Sequence, residues 1–397
     1  MRTQFLPILW TVAVLTAVAT SQTKPSSVPA PQPSPREERF VLWDPTRELP
    51  KSTELAPLEG VRFSVIQRRE PAVDGYNWLH GVAAVWHGGA LWTSFGRNKG
   101  DENTATEIAQ GRTSTDAGRT WGPVFPIDGG TPGLAVSHGV FLSHKGALWA
   151  FHGNFTGKLK DVHTVAYLLD PATGRWLRKA TVAAEGYWPT AEPQRMADGN
   201  WIMAGFCVAG RNPAAVAISE DDSFTKWRLV KIPLTPSVGR IWGESALVVR
   251  GETILCIARW AKPVALAAAS NDYGRTWSTM IPTNLPMAAS KPYAGLLSTG
   301  QQYLICTTTA DAGNRRNPLT IAVSRPEHKL FSKVFRIRDA VAEAPGESAP
   351  EARLSYPYAV EHEGSLYVVY SNDGARGHNR NSAEMAVIPL RALTVRE

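Results

Sequence analysis

The sequence of 397 residues lacks the features of small disulfide-bonded, nucleic-acid-binding or long-helical proteins. Its three cysteines, Cys207, Cys256 and Cys306, cannot form a closed disulfide framework, and we expect buried thiols. No block of lysine and arginine and no nucleic-acid motif accompanies the formal net charge of +7, so we expect no nucleic-acid partner. That charge still favours anionic partners, of which an acidic glycan is the expected one.

Long apolar runs are confined to the N-terminus. Residues 5–19 follow Arg2 and end in Ala17-Val18-Ala19, a signal-peptidase pattern, and this run is too short to span a bilayer comfortably. The following residues are rich in Pro and Ser, a composition typical of a flexible linker. We therefore predict a signal peptide (1–19), a linker (20–38) and a mature domain (39–397) that is secreted or periplasmic, without a membrane span.

Long amphipathic helical runs are also absent, and short apolar stretches punctuated by Gly, Asn and Asp favour an all-β chain. A turn that contains glycine, followed by an apolar strand, recurs six times at intervals of 49 to 64 residues. Glycine suits these positions because hairpin turns commonly need a positive φ. The turn glycines are Gly89, Gly146, Gly199, Gly251, Gly300 and Gly364.

A second motif repeats in phase with these turns. Residues 114–121 and 270–277 share the pattern S-x-D-x-G-x-T-W, and residues 219–227 and 170–176 carry weaker copies. In such a segment the aspartate bonds to backbone N–H groups, the glycine takes a left-handed turn and the tryptophan packs beneath. The two repeats predict a six-bladed β-propeller, with residues 40–69 supplying the outer strand that closes the ring. Seven blades, the last built from that segment, is the alternative.

These motifs resemble the Asp-box of the sialidase (neuraminidase) superfamily, and the resemblance covers the whole mature chain. Non-enzymatic and lyase propellers carry the box too, so it indicates the fold more strongly than the reaction.

Propeller geometry predicts which side chains meet, because the first residues of each innermost strand gather at one end of the central channel. The second strand of each blade returns to the same end. The chemically active side chains placed there are His80, His138, Thr190, Glu192, Glu244, Lys291, Tyr293 and Tyr356 from first strands, Arg97, His152, Arg259 and Thr308 from second strands, and Arg316 from a third strand.

The resemblance to sialidases implies roles for some of these residues. Tyr356 matches the nucleophile and Glu244 the glutamate that activates it, while Asp101, on a loop before the first box, matches the acid/base aspartate. Arg259 and Arg316 match two of the three arginines that bind a sugar carboxylate. Histidine stands at position 80, at or near the place of the family's first arginine, so we expect a two-arginine clamp aided by His80.

These residue types can together activate a tyrosine and bind a sugar carboxylate. A nearby carboxylate can accept the proton of a tyrosine, whose free pKa is near 10, and arginine binds a carboxylate through two hydrogen bonds where lysine cannot. The expected function is that of a secreted sialidase-like glycoside hydrolase acting on sialic-acid- or uronate-containing oligosaccharides or polysaccharides. We expect a monomer without cofactor or metal. The further substrate-binding candidates are Arg97, His80, His138, His152, Tyr187 and Lys291.

Two other functions remain open from the sequence. The first is a propeller lyase, or a glycosidase acting next to uronates, in which His138 or Tyr187 is indispensable and a histidine abstracts a proton near neutral pH. The second is a propeller that binds glycans without catalysis, in which Tyr356 and Glu244 would lie far apart.

Overall fold

Strands dominate the chain in the computed structural model, which describes residues 39–219 and 221–395. The predicted signal peptide and linker lie outside the described residues. Within the described ranges the helices are one α-helix, α1 (Pro71–Asp74), and three 3₁₀ helices (Ser52–Glu54, Pro236–Val238 and Leu390–Leu393). None of them is long and apolar enough to cross a membrane.

The strands form six antiparallel sheets, the blades of a propeller, in which sequence order runs from the channel outwards. Strand β1 (Arg62–Gln67) precedes the first blade and belongs to the last. Blade 1 contains β2 (Trp78–His87), β3 (Ala90–Asn98), β4 (Ile108–Ser114) and β5 (Phe125–Asp128). Blade 2 contains β6 (Leu134–His144), β7 (Ala147–Thr156), β8 (Lys160–Leu169) and β9 (Trp176–Ala183). Blade 3 contains β10 (Tyr187–Pro189), β11 (Gln194–Arg195), β12 (Trp201–Cys207), β13 (Ala214–Ser219) and β14 (Arg228–Lys231).

The second half of the ring repeats this plan. Blade 4 contains β15 (Ser245–Arg250), β16 (Thr253–Ala258), β17 (Val264–Ser270) and β18 (Ile281–Pro286). Blade 5 contains β19 (Tyr293–Leu296), β20 (Gln302–Cys306), β21 (Leu319–Ser324) and β22 (Phe331–Arg338). Blade 6 contains β23 (Leu354–His362), β24 (Ser365–Asn372) and β25 (Ser382–Pro389). Each of the six turn glycines has a positive φ and lies between the innermost and second layers of its blade.

The N-terminal part of the domain closes the ring. Strand β1 pairs antiparallel with β25, so blade 6 has the order β1-β25-β24-β23. Upstream of β1, single bridges join Phe40 to Thr283 and Trp43 to Phe331 along the outer strands of blades 4 and 5. The prediction of six blades closed by residues 40–69 is confirmed, and the seven-blade alternative is wrong because this segment completes an existing blade.

The Asp-box residues form the predicted local network. Asp116 accepts hydrogen bonds from Thr120 Oγ1 at 2.6 Å and from the Arg119 N–H at 2.9 Å. Ser114 Oγ accepts from the N–H of Gly118, whose φ is 75°. Residues 270–277 repeat this network in blade 4. The hydrogen bonds of each Asp-box therefore join residues of the same eight-residue segment and need no partner elsewhere in the chain.

Bulges distort the innermost strands of three neighbouring blades. The pairing register shifts between His80 and Ala83 in β2 and between Val136 and Gly139 in β6. It also shifts in β23, directly after Ser355. A bulge bends its strand and redirects a side chain, so these shifts decide which groups face the end of the channel.

The three cysteines are buried free thiols in the blades, as expected.

Candidate active site

Three side chains from blades 4 and 6 meet at one end of the channel. Glu244 directly precedes β15, Arg259 directly follows β16, and Tyr356 lies in β23. The Tyr356 hydroxyl donates a hydrogen bond to Glu244 Oε1. Arg259 Nη1 lies 2.6 Å from Glu244 Oε2 and 3.2 Å from Tyr356 Oη. A carboxylate in this position can take the hydroxyl proton, and the guanidinium stabilises negative charge on either oxygen.

Tyr356 has an unusual backbone conformation. Its φ is 55°, in the left-handed region that bulky residues rarely adopt, and it lies within the bulge of β23. Such strained residues concentrate at functional sites, where the surrounding structure holds them. The bulge directs the hydroxyl toward blade 4, although only 7% of the residue is exposed.

The electrostatic surroundings keep the Tyr356 hydroxyl protonated in the resting site. Burial raises the pKa of Tyr356 well above its ordinary value, and the charge of Glu244 raises it further, whereas Arg259 and Arg316 lower it. Burial also acts to lower the pKa of Arg259, but Glu244 and Tyr356 raise it by more, so Arg259 remains a cation. A nucleophilic reaction at this oxygen would therefore need a base, and Glu244 is the carboxylate that accepts its hydrogen bond.

Two arginines in this region have no carboxylate within 4.0 Å among the residues that the structure describes: Arg316, before β21, and Arg353, before β23. Arg316 Nη2 donates to the Ala289 carbonyl at 2.8 Å, and its Cζ lies 6.0 Å from the centre of the Tyr356 ring. Burial lowers the pKa of Arg316. A largely buried guanidinium without a counter-ion is well suited to bind an anion.

His80, expected to aid the carboxylate clamp, lies instead beneath the site. Its ring is fully buried, with its centre 3.8 Å from that of Tyr356, and Asn381 Nδ2 donates to its Nδ1 at 3.1 Å. Burial, and then His138 and Arg316, lower the pKa of His80 well below its ordinary value. A neutral, buried ring cannot replace an arginine in binding a carboxylate, but it supports the tyrosine from below.

His138 does reach the site. Its ring centre lies 5.0 Å from that of Trp188 and 6.1 Å from that of Tyr356. A Cβ at Gly81 would come within 2.2 Å of the His138 ring, so only glycine leaves room for it. Burial, with a smaller effect of Lys291, lowers the pKa of His138 to about 3. The imidazole is therefore neutral near pH 7 and is a weak base.

The loop between β3 and β4 contributes Glu102 to the site, not the expected Asp101. The side chain of Asp101 is 78% exposed, and its nearest cation is Arg380 at 3.8 Å. Glu102 lines the cavity and accepts a hydrogen bond from Asn379 Nδ2 at 2.8 Å. Burial raises the pKa of Glu102, which favours its protonated form.

Two predicted substrate-binding residues of second strands are occupied within their blades. The Arg97 guanidinium bonds to Asp74 and lies 4.0 Å above the ring of Tyr76. His152 is fully buried, its Nδ1 donating to the Ser137 carbonyl at 2.7 Å, and burial lowers its pKa to about 4. Neither side chain lines the cavity. Both side chains connect parts of the scaffold through these contacts, although Arg97 Nε and His152 Nε2 are buried without a hydrogen-bond partner among the described residues.

Tyr187 and Lys291 are scaffold residues as well. The Tyr187 hydroxyl donates to the Met203 carbonyl at 2.7 Å, inside blade 3. Lys291 Nζ donates to the carbonyls of Pro357 at 2.8 Å and Thr190 at 3.3 Å, joining blades 3, 5 and 6 inside the channel. Burial lowers the pKa of Lys291 to about 8. These contacts stabilise the ring and leave neither group free for a ligand in the cavity.

The remaining groups line a cavity of about 410 Å³, within the usual range of small-ligand sites. Its wall carries three cations and two carboxylates, so its net charge is +1 when all five are ionised. They are Arg259, Arg316, Arg353, Glu102 and Glu244. Trp242, 39% exposed, adds an aromatic face against which a sugar ring can pack. The sequence did not single out three of the residues that line the cavity: Glu102, on the loop between β3 and β4, Arg353, directly before β23, and Trp242, two residues before Glu244.

The histidines of blade 2 do not form a metal site. No group of three or more His, Cys, Asp or Glu side chains in residues 39–219 and 221–395 is arranged to hold a metal ion. His138 packs on Trp188, His152 bonds to a carbonyl, and His163 Nδ1 donates to the Asp161 carbonyl at 2.7 Å.

Comparisons with known proteins agree with this architecture. A family model described as a BNR repeat-like domain matches residues 139–368. No curated protein sequence matches the chain. The chain is similar to a solved protein of unknown function from Dyadobacter fermentans, with a TM-score of 0.63 and 15% identity over 83% of this chain and 99% of that one. It is also similar to the NanB sialidase of Streptococcus pneumoniae, with a TM-score of 0.64 and 10% identity over 85% and 71%. Trypanosoma rangeli sialidase gives a TM-score of 0.60 and 12% identity over 85% and 61%.

The described residues define a six-bladed β-propeller whose architecture is similar to that of the solved sialidases. The chain belongs to the BNR repeat-like domain family. Because the solved sialidases are only 10 to 12% identical, they establish the architecture alone.

Proposed function

We propose that this protein is a glycoside hydrolase that removes an acidic sugar from a glycan, with Tyr356 as its nucleophile. The observation that carries the proposal is the hydrogen-bonded cluster of Tyr356, Glu244 and Arg259 on the wall of a cavity that also contains Arg316. A tyrosine nucleophile is a recognised exception to the use of two carboxylates by glycosidases. It avoids placing another negative charge against an anionic substrate.

In the first step, Tyr356 Oη attacks the anomeric carbon while its proton passes to Glu244 Oε1. The glycosidic bond breaks, and Glu102 donates its proton to the departing oxygen. Arg259 stabilises the charge that develops on the tyrosine oxygen and on the glutamate. The raised pKa of Glu102 favours its protonated form, which a general acid requires.

In the second step, Glu102 acts as a base and removes a proton from water, which attacks the anomeric carbon. The bond to Tyr356 Oη breaks, and Glu244 returns the proton to the phenolic oxygen. The free sugar then leaves, and all three groups recover their starting protonation.

The acidic group of the substrate binds to Arg316, supported by Arg353 and Arg259. Arg316 is largely buried and has no carboxylate partner in the described ranges, so a sugar carboxylate would satisfy it through two charge-assisted hydrogen bonds. Sialic acid and uronic acids both carry such a carboxylate.

The two alternative functions have less support. Elimination needs a base near the C5 proton, but burial lowers the pKa of His138 to about 3, and Tyr187 is bonded to a backbone carbonyl away from the cavity. Binding without catalysis does not require a tyrosine held by a glutamate in a strained backbone conformation.

The test is to incubate the purified protein with sialosides and with uronate-containing polysaccharides, following reducing ends and ultraviolet absorbance. Hydrolysis produces reducing ends without the absorbance of an unsaturated uronate, which is the expected result. Absorbance that rises with the reducing ends would identify a lyase. Binding without either signal would indicate a glycan-binding propeller.

We also propose export of the protein, which residues 1–19 support; N-terminal sequencing of secreted material should find it to begin after Ala19.

A further inference from the structure

A second cavity, of about 990 Å³, adjoins the candidate active site on the side of blades 5 and 6. The two cavities are continuous in their lining, because three side chains belong to both walls: Arg259, Arg316 and Arg353. A ligand group bound to Arg316 therefore lies at the boundary of the second cavity, and a longer ligand can extend across it.

The second cavity is strongly cationic. Its wall carries five arginines and two carboxylates, a net charge of +3 when all are ionised. They are Arg259, Arg315, Arg316, Arg336, Arg353, Asp339 and Glu351. Arg336 is neutralised by Asp339 at 2.9 Å and Arg259 by Glu244 at 2.6 Å. In the described part of the chain, Arg315, Arg316 and Arg353 have no carboxylate within 4.0 Å.

Two of these arginines, Arg315 and Arg316, are held by hydrogen bonds from the guanidinium to backbone carbonyls. Arg315 donates from Nη2 to the Asp311 carbonyl at 2.9 Å and from Nε to that of Ala312 at 3.4 Å, which leaves Nη1 without a partner among the described residues. The Arg316 guanidinium donates from Nη2 to the Ala289 carbonyl at 2.8 Å. Guanidinium groups fixed in this way lose less conformational entropy when they bind an anion.

We infer that the second cavity binds another acidic group of the same glycan chain, so that the substrate is a linear glycan with anionic groups on closely spaced sugars. This inference rests on the proposed function, because it places the first acidic sugar on Arg316. The first acidic sugar occupies Arg316, supported by Arg353 and Arg259. Arg315 lines the second cavity and not the first, and it has no carboxylate within 4.0 Å in the described part of the chain, so it can bind a second negative charge of the same ligand.

The test compares two substrates on the same enzyme: a glycoside with a single acidic sugar, and an oligosaccharide of three or more acidic sugars. Arg315 lines the second cavity and not the first, so Arg315→Gln should lower kcat/KM for the oligosaccharide about tenfold, by loss of one charge-assisted contact. It should change kcat/KM for the single-acid glycoside less than twofold. Equal effects on the two substrates, or no effect on either, would overturn the inference.

A matched control removes the same charge elsewhere. Arg228 is exposed on β14, the outer strand of blade 3, and Arg228→Gln should affect neither substrate. If Arg228→Gln lowered kcat/KM for the oligosaccharide as much as Arg315→Gln does, the overall charge of the protein and not the second cavity would cause the loss. The inference would then fail.

Binding measurements separate this inference from the proposed function. If the wild-type protein hydrolyses neither substrate, the proposed function fails, but calorimetric titration with the same oligosaccharide and glycoside still tests the cavity. Tighter binding of the oligosaccharide that Arg315→Gln abolishes would support the subsite, and equal affinities in the wild type would exclude it. Parallel titrations with carboxylated and with sulfated oligosaccharides show which anionic group binds more tightly there.

Discussion

The hydroxyl of Tyr356 bonds to the carboxylate of Glu244, although the two residues are 112 positions apart in the chain. The ring structure makes this contact, since Glu244 precedes the innermost strand of blade 4 and Tyr356 lies in that of blade 6. Arg259 bonds to both side chains, which couples the charges of all three groups.

The first prediction concerns the nucleophile. Tyr356→Phe removes one oxygen and keeps the ring that packs on His80, so the fold should remain intact. We expect kcat to fall by about three orders of magnitude or more, because no other hydroxyl occupies that position. Steady-state kinetics on the hydrolysed glycoside, with circular dichroism as a check on folding, measure this.

His138→Ala serves as the comparison for that variant. In a hydrolase it should reduce kcat about tenfold or less, since the neutral imidazole contributes packing near the substrate. The reverse pattern, with an active Tyr356→Phe enzyme and an inactive His138→Ala enzyme, would favour elimination and exclude the proposed mechanism.

The second prediction concerns the general acid. Glu102→Gln should lower kcat about 10² to 10⁴-fold on a substrate with a poor leaving group, and much less on an aryl glycoside whose leaving group needs no proton. In the wild type, kcat/KM for the poor leaving group should fall as pH rises through the elevated pKa of Glu102, because the acid form is lost.

Asp101→Asn is the matched control, as it removes the neighbouring, exposed carboxylate. It should leave kcat and the pH profile unchanged. A pH profile of kcat/KM that changed in Asp101→Asn and not in Glu102→Gln would identify Asp101 as the general acid.

The third prediction concerns the anion-binding arginine. Arg316→Lys keeps the charge but loses the planar pair of donors, so kcat/KM should fall about 100-fold while the free energy of unfolding changes by no more than about 1 kcal/mol. Arg228→Lys, on the exposed outer strand of blade 3, should have no effect. An Arg316→Lys enzyme with wild-type kinetics would show that the substrate anion binds elsewhere.

The fourth prediction concerns a buried carboxyl group. Burial raises the pKa of Glu107 from 4.5 to about 8, so the folded protein binds this proton more tightly than the unfolded chain does. Stability should therefore fall as pH rises from about 4.5 to about 8. The buried histidines have lowered pKa values, so their contribution is lost only as pH falls below about 6.5.

Between pH 6.5 and 8, Glu107 should lower the free energy of unfolding by about 1–2 kcal/mol, and Glu107→Gln should remove that part of the decrease. Glu102, Glu192 and Glu384 also have pKa values raised by burial, so the comparison of the two proteins assigns the contribution of Glu107. Denaturant titrations at three pH values measure both proteins. A slope of the same size in the two proteins would show that Glu107 does not contribute.

The sequence by itself determined the blade count and the approximate place of the site. Turn glycines and Asp-boxes act within a few residues, so their spacing is visible without knowledge of distant contacts. The strand positions of Glu244, His138 and Tyr356 follow from the same repeat, because every blade enters the channel in the same direction.

Only the tertiary structure decided which of the side chains near the channel face the cavity. Successive strand residues point to opposite sides, and one bulge reverses that alternation, so a shift of one residue separates a ligand-facing group from a buried one. For this reason His80 packs beneath Tyr356 while His138 reaches the cavity. On the loop before β4, Glu102 faces inward and Asp101 faces solvent, because contact with Asn379 of a different blade selects between two adjacent carboxylates.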